Sequence, residues 1–198
     1  YANGTTLITC AAAHIDVTGI EGGSSTSTGI VIFSASTITT STNGGNISLL
    51  ANSIILGSDV TVSTQAAGST TLRPYTNGVE INLGTIHDPI GGPLGLNDTE
   101  LDRITTGTLI IGHANSGHLT VSSPIDLQNS ANVQLISGGD VIISDGGFNT
   151  NGGTMLLDPG TTPAAVKPTF NGTDVTASTL SFASDLSIAI NGTTLGDG

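Results

Sequence analysis

The sequence feature that most constrains the fold is a series of short stretches in which apolar and polar residues alternate. Ile47 and Leu49, Val133 and Leu135, and Val141 and Ile143 are examples, and such stretches are bounded by Gly, Asn, Asp or Ser. A period of two places alternate side chains on opposite faces of a β-strand. The bounding residues favour turns. No stretch of comparable length repeats at the helical period, so the chain is predicted to be all-β with many short strands.

Composition supports an ordered β protein. Only 9% of the residues are charged, against about a quarter in ordinary soluble proteins. Ser and Thr make up about a quarter of the chain, and Gly contributes 28 residues. The hydrophobic fraction is nevertheless 36%, which is more than disordered chains usually carry. We therefore expect a folded chain with small polar residues on its surface.

Spacing favours a right-handed parallel β-helix, or β-solenoid, over a sandwich or a barrel. Val121 and Val141, and likewise Val133 and Met155, are about 20 residues apart, a separation typical of repeat architectures. Residues 57–74 also resemble residues 138–160, since both contain a Gly-Asp-Val strand, a polar turn and a Thr-led strand. We predict a single β-solenoid segment over residues 1–198. The residues expected to point inward on parallel strands are Ile47, Leu49, Ile54, Leu56, Val60, Val62, Val133, Leu135, Val141 and Ile143.

Two segments interrupt this rhythm. Residues 74–104 contain a Pro- and Gly-rich stretch and are predicted to form a loop or short-helix insertion. Within it, residues 97–104 could form a helical turn capped by Asn97 or Thr99. Residues 158–170 carry three prolines and are predicted to bulge outward. The Asn-Gly pairs raise the alternative of antiparallel hairpins, which would contradict the parallel arrangement.

Several segments resemble the haemagglutinin-type repeats of large bacterial adhesins, the filamentous haemagglutinin and autotransporter-passenger group. Residues 44–64 have the family's order of glycine, alternating aliphatics, Ala-Asn turn and second strand, and residues 94–127 and 185–198 are also similar. The resemblance implies a structural or adhesive β-helix at the bacterial surface or in a filament-forming protein. The alternative is a β-helix domain that binds or processes polysaccharide.

Charge excludes several function classes. The net charge is −12, and Arg73, Arg103 and Lys167 are the only Lys or Arg residues, so nucleic acid is not an expected partner. No apolar run approaches the roughly 18 residues of a transmembrane segment. So few cations would also do little to stabilise an anionic transition state. We expect no enzyme activity, no catalytic residues and no cofactor.

Three groups of residues are candidates for metal or acid–base sites. His87–Asp88, and His113 with His118, are interpreted as surface turn residues, because no Cys or helix would bring them together. Asp98, Glu100 and Asp102 alternate as in an oxygen-rich calcium loop, but the EF-hand glycine and terminal glutamate are missing. On a helix, Asp98 and Asp102 would share a face and Glu100 would not. No metal site is predicted.

The remaining candidates also have simpler explanations. Cys10, the only cysteine, lies in an apolar stretch and is interpreted as a small core residue rather than a reactive thiol. The Thr-rich residues 37–42 reflect β-propensity rather than an ice-binding array. Five glycosylation sequons occur about as often as chance predicts. They begin at Asn3, Asn46, Asn97, Asn171 and Asn191.

The two ends carry a prediction about partners. Neither end has the helix, charged strand or prolines that normally protect a strand edge. We therefore expect the β-helix to continue, either in a longer parent chain or by end-to-end self-association. The first residue is Tyr1, which favours a processed product or excised fragment of an exported protein. Surface glycans are a further possible partner that the resemblance implies.

Overall fold

A computed structural model gives the fold of this chain. The structure describes residues 6–11, 13–21, 29–41, 44–85, 88, 91–144, 147–160, 168–171, 174–183, 189–191 and 195–196. The described residues form many short strands and one short helix, as the alternating sequence predicts. The strands are β1 (Leu7–Cys10), β2 (Ile15–Thr18), β3 (Ile30–Ile32), β4 (Thr37–Thr40), β5 (Ile47–Leu50), β6 (Ile54–Leu56), β7 (Thr61–Arg73), β8 (Ile81–Leu83), β9 (Leu94–Leu96), β10 (Ile104–Gly112), β11 (Leu119–Val121), β12 (Ile125–Asp126), β13 (Ser130–Ile136), β14 (Val141–Ser144), β15 (Phe148–Asn149), β16 (Thr154–Asp158), β17 (Pro168–Asn171), β18 (Val175–Thr176), β19 (Thr179–Phe182), β20 (Ala189–Asn191) and β21 (Leu195–Gly196), and the helix is α1 (Asp98–Leu101).

Every pairing among the described strands is parallel. The strands form sheets of nine, six, four and two members. Later in the chain the partner of a strand is typically the third strand after it, as in β11–β14–β17–β20 and β13–β16–β19. Successive strands therefore lie in different sheets, and each sheet grows one strand at a time. The Asn-Gly turns at Asn77 and Asn151 join strands that do not pair with each other, so they form no antiparallel hairpin.

Two apolar ladders run through the nine-stranded sheet from β2 to β19. In the first, each residue is the register partner of the next; its members are Ile15, Ile47, Thr70, Leu109, Val133, Met155 and Leu180. The second ladder lies two residues further along each strand; its members are Val17, Leu49, Leu72, Ile111, Leu135, Leu157 and Phe182. Inside both ladders the side chains are at most 1% exposed. This stack of register partners is the core of the protein.

The inward residues predicted from the sequence are confirmed. All ten are buried, and nine lie on strands, while Val60 immediately precedes β7. Of the two pairs that the spacing suggests, Val133 and Met155 are register partners. Val121 pairs with Ile143 rather than with Val141. The spacing in this part of the chain is thus 22 residues.

The two predicted interruptions contain more regular structure than expected. Within residues 74–104, β8 and β9 pair with each other in the six-stranded sheet, because Ile81 and Leu83 continue its apolar ladders. The predicted helix is present as α1, capped by Asn97. Within 158–170, residues 168–170 belong to β17 and so are strand rather than bulge, and residues 161–167 lie outside the described part of the chain.

Buried threonines line the part of β7 and β10 where the register between the two strands shifts. The Thr64 and Thr106 hydroxyls lie 2.7 Å apart, and Thr106 Oγ1 also donates to the Gly68 carbonyl. Thr70 differs from them because it occupies a position in the first apolar ladder. Its side chain is fully buried, and its hydroxyl has no hydrogen-bond partner. A buried unsatisfied hydroxyl costs stability, so Thr70 is a weak point of the core.

Replacing Ile143 by Asp tests the inward direction of β14. Ile143 is fully buried between Val121 and Phe170 in register, whereas the adjacent Ile142 is only half-buried on the opposite face. We expect Ile143→Asp to lower the free energy of unfolding by about 4 kcal/mol or more, since it buries an unpaired carboxylate. Ile142→Asp should cost much less. Urea denaturation of both variants checks this, and equal losses would contradict the assignment of faces.

Replacing Thr70 by Val should stabilise the protein by about 1 kcal/mol, because it removes an unpartnered hydroxyl without changing the shape of the side chain. Thr64→Val is the matched control. It deletes a hydroxyl that does have a partner, and it should destabilise by about the same amount. Thermal melting of both variants measures the difference, and a loss of stability in Thr70→Val would mean that its hydroxyl is satisfied.

Candidate functional site

The most unusual polar site lies between strands β6 and β9, which face each other across a gap in the sheet pairing. The Asp88 carboxylate fills the first half of this gap. Its Oδ2 accepts hydrogen bonds from the Ile54 N–H at 3.0 Å and from the Ser53 hydroxyl at 2.9 Å, while its Oδ1 accepts from the Gly95 N–H. One carboxylate therefore bridges the backbones of two strands.

Glu100 fills the second half of the gap in the same way. Its Oε1 accepts from the Leu56 N–H at 3.1 Å, and its Oε2 accepts from the backbone N–H and the side-chain amide of Asn97. Arg103 completes the contact by donating to the Leu56 carbonyl. Glu100 is only 6% exposed, so these bonds replace water at a buried carboxylate.

We call this arrangement, formed by Asp88, Glu100 and Arg103, the carboxylate junction. In an unbroken parallel sheet, the N–H groups of Ile54 and Leu56 would meet the carbonyl groups of a neighbouring strand. Here they meet carboxylate oxygens instead, and the same carboxylates accept N–H groups from the segment at β9. The junction thus joins the two-stranded β3–β6 sheet to the six-stranded sheet through side chains.

Two further carboxylates at helix α1 also accept hydrogen bonds from backbone N–H groups. Asp98 Oδ1 accepts from the Asp126 N–H at 2.7 Å, and Asp102 Oδ1 accepts from the Gln128 N–H at 3.0 Å. Both N–H groups belong to the β12 segment, the first strand of the four-stranded sheet. Asp98 and Asp102 therefore share a face, and Glu100 points elsewhere, as predicted for a helix. The sequence did not predict that these residues accept strand-edge N–H groups.

Burial governs the acidity of these groups. It raises the pKa of Asp88 to about 6; the nearby Glu100 charge also raises it, while the hydrogen bonds from Gly95, Ser53 and Ile54 oppose the rise. Burial likewise raises the pKa of Glu100 and of Asp102. Among the described residues, no group of three or more His, Cys, Asp or Glu could hold a metal ion. The acidic side chains act here as hydrogen-bond acceptors for the backbone.

The histidine candidates also serve local structure. His113 Nδ1 accepts from the Asn115 N–H at 2.9 Å, and His118 Nδ1 accepts from the Asp140 N–H at 2.9 Å. Burial and the charge of Arg73 lower the pKa of His113. His87, the third candidate, lies outside the described residues. His113 and His118 thus organise turns; His118 is exposed, whereas His113 is half-buried rather than at the surface.

The first three strands present a different kind of surface. Leu7 and Ile20 are 65% and 66% exposed, and Ile8 and Phe33 are also exposed. Beside them lies an apolar cavity; its lining includes Ile8, Val17, Ile30, Ile32 and Ile38. Four of the five exposed large apolar side chains of the described chain lie in this region, and the fifth is Tyr75.

Other sequence candidates are part of the fold. Cys10 is half-buried and packs against the core, which agrees with its interpretation as a small apolar residue. In the described part of the Thr-rich segment, Ile38 and Thr40 point inward, and the Thr40 hydroxyl donates to the Gly45 carbonyl. Of the sequon residues, Asn46 accepts from the Ser69 N–H and Asn97 caps α1.

Comparison of this chain with protein-family models, with curated proteins and with solved structures finds no match. Among the described residues, no helix has the length and apolar character needed to cross a membrane. Functional arguments therefore depend on the geometry of the chain itself.

The pH dependence of stability tests the burial of Asp88. Its pKa is about 6 in the folded protein and 3.8 ordinarily, so the folded state binds the proton more tightly between these values. The contribution of Asp88 to the free energy of unfolding is therefore greatest at low pH, and it falls as the pH rises from about 4 to about 6.

The measurement compares the melting temperatures of the parent and of Asp88→Asn between pH 4 and pH 7. The variant lacks this titration, so the advantage of the parent should shrink as the pH rises. An advantage that grows with pH would mean that the N–H donors lower the pKa of Asp88 instead.

Proposed function

We propose that the chain is a segment of a right-handed parallel β-helix from an extracellular bacterial surface or filament-forming protein, with a structural or adhesive role. The observation that carries this proposal is the pair of apolar ladders, in which seven strands stack in parallel with each residue above its register partner. A stack of this kind grows along one axis and suits an elongated, rigid support.

The hydrogen bonds of the acidic side chains favour a structural role over catalysis. The acidic residues with raised pKa values, Asp88, Glu100 and Asp102, all accept backbone N–H groups. Glycoside hydrolysis needs two carboxylates facing a substrate across open space. In the carboxylate junction the two carboxylates themselves fill the gap between the strands, and both oxygens of Asp88 and of Glu100 already accept hydrogen bonds. The resemblance to haemagglutinin-type repeats supports the extracellular location.

Immunogold electron microscopy of the native bacterium tests the location, using antibodies against the 198-residue chain. We expect label on the outer surface or along extracellular filaments. Label confined to the cytoplasm would overturn the proposal.

A glycan array with the isolated chain separates the two roles. Binding to a defined glycan class supports adhesion, whereas the absence of binding together with labelled filaments supports a structural role. A polysaccharide that is degraded on incubation would contradict the non-catalytic assignment.

A further inference from the structure

We infer that Asn151 is a self-modification site, at which the side-chain amide is converted to aspartate or isoaspartate through a succinimide. The site is the Asn-Gly turn between β15 and β16. Strand β15 pairs with β12 and β18, and β16 pairs with β13 and β19, so the turn lies inside the stack of strands and not at either end of it. This inference goes beyond the proposed function and does not depend on it.

The reaction needs no partner other than water. The main-chain nitrogen of Gly152 loses its proton to hydroxide and attacks Cγ of Asn151, and the Cγ–Nδ2 bond breaks. Nδ2 takes a proton from water and leaves as ammonia, which restores the hydroxide. Water then opens the succinimide at one of its two carbonyl groups. One opening gives aspartate, and the other gives isoaspartate, in which the main chain runs through the former side chain.

The turn at Asn151 is closed and left-handed. Asn151 and Gly152 have φ angles of 52° and 84°. The Gly153 N–H donates to the Thr150 carbonyl at 3.2 Å. Positive φ at both central residues defines a type I′ turn, in which ψ of the first residue is about +30°. The succinimide ring closes only when the next nitrogen eclipses Cβ, at a ψ of about −120°, which is the value at the first residue of a type II′ turn.

One peptide flip takes the turn to that geometry. Rotation of the peptide plane between Asn151 and Gly152 converts type I′ to type II′ and leaves residues 150 and 153 in place, while φ of Gly152 becomes negative. Glycine adopts either sign of φ readily. Neither the Asn151 carbonyl nor the Gly152 N–H has a hydrogen-bond partner among the described residues. A Cβ at Gly152 would meet nothing within 4 Å, so the flip is not hindered by packing.

The turn at Asn77 is a comparison within the same chain, because it has the same Thr-Asn-Gly sequence and Asn77 is also exposed. Gly78 has a φ of 79°, whereas φ of Asn77 is not positive, which is the type II pattern. A flip there leads to type I, whose first ψ of about −30° does not bring the nitrogen to Cγ. The Gly78 N–H also donates to the Asn115 carbonyl at 2.8 Å. The fold therefore protects Asn77 and leaves Asn151 reactive.

Conversion adds one negative charge at an exposed turn and leaves the core in place. The Thr150 N–H donates to the Thr176 carbonyl. On the other side of the turn, the Ser178 N–H donates to the Gly153 carbonyl. Both flanks of the turn are thus held by the next strands along the stack, and the first apolar ladder continues at Met155. The modified chain should keep its β fold.

Peptide mapping of the intact, folded chain after incubation at mildly alkaline pH tests this inference. Cleavage before aspartate produces peptides 59–87 and 145–157, each of which contains one Asn-Gly pair. Mass spectrometry then measures the conversion of amide to acid at Asn77 and at Asn151, with both aspartyl isomers counted. We expect conversion to be at least ~10-fold faster at Asn151, because the reactive geometry is accessible only there.

The same measurement in concentrated urea separates the effect of the fold from that of the sequence. Neither turn persists in the unfolded chain, so Asn77 and Asn151 should react at similar rates. Equal rates in the folded chain, faster conversion at Asn77, or no conversion at Asn151 would overturn the inference. A preference for Asn151 that persists in urea would overturn it as well, since the fold would not be the cause.

Two variants provide matched controls. Asn151→Gln should remove the product from peptide 145–157, because glutamine would have to close a six-membered ring, which is much slower. Asn77→Gln should leave that product unchanged. Glutamine is compatible with the backbone at position 151, since Gln65 has a φ of 58° in this chain. Circular dichroism should show that both variants keep the β fold, and an acid product at position 151 that forms equally fast in Asn151→Gln would contradict the proposed ring closure.

Discussion

The fold depends on one requirement, which is that each strand edge must find partners for its backbone N–H and C=O groups. Parallel stacking meets this requirement strand by strand, and it also places each side chain directly above its register partner. Apolar ladders follow from that geometry, because an inward position on one strand is inward on the next. Ile47 and Leu49 are fully buried for this reason, although their strand, β5, is only four residues long. Stacking between strands compensates for their short length.

The carboxylate junction shows how the chain meets the same requirement where stacking is interrupted. The segment between β8 and β10 includes an extra strand and a helix, and β6, which pairs with β3 on one side, pairs with no described strand on the other. Asp88 and Glu100 supply four oxygens in place of carbonyl groups. The cost is the burial of two carboxylates, which is visible in their raised pKa values. An acidic side chain can replace a carbonyl acceptor because, when ionised, it only accepts hydrogen bonds.

The sequence predicts the ladders well because a period of two is a local property of each strand. Which strands pair is harder to predict, since a shift of two residues keeps the same side chains inward. This is why the 22-residue register between Val121 and Ile143 could be mistaken for one of 20. The helix at α1 was predictable from Asn97 and the acidic residues that follow it. The role of Asp88 was not, because its partners Ile54 and Gly95 are brought to it only by the fold.

The same requirement distinguishes the edge of β6 from the edge of the first three strands. At the junction, carboxylates replace the missing strand partner of β6, and Leu94 and Leu96 of the contacting strand β9 stay fully buried. Beside β1, β2 and β3, which pair with β4, β5 and β6, the side chains of Leu7, Ile8 and Phe33 are exposed. Leu7 and Phe33 carry no charge, so they cannot protect the edge as Asp88 and Glu100 do. The internal edge of β6 is therefore satisfied by carboxylates that only accept hydrogen bonds, whereas apolar side chains accompany the edge of the first three strands.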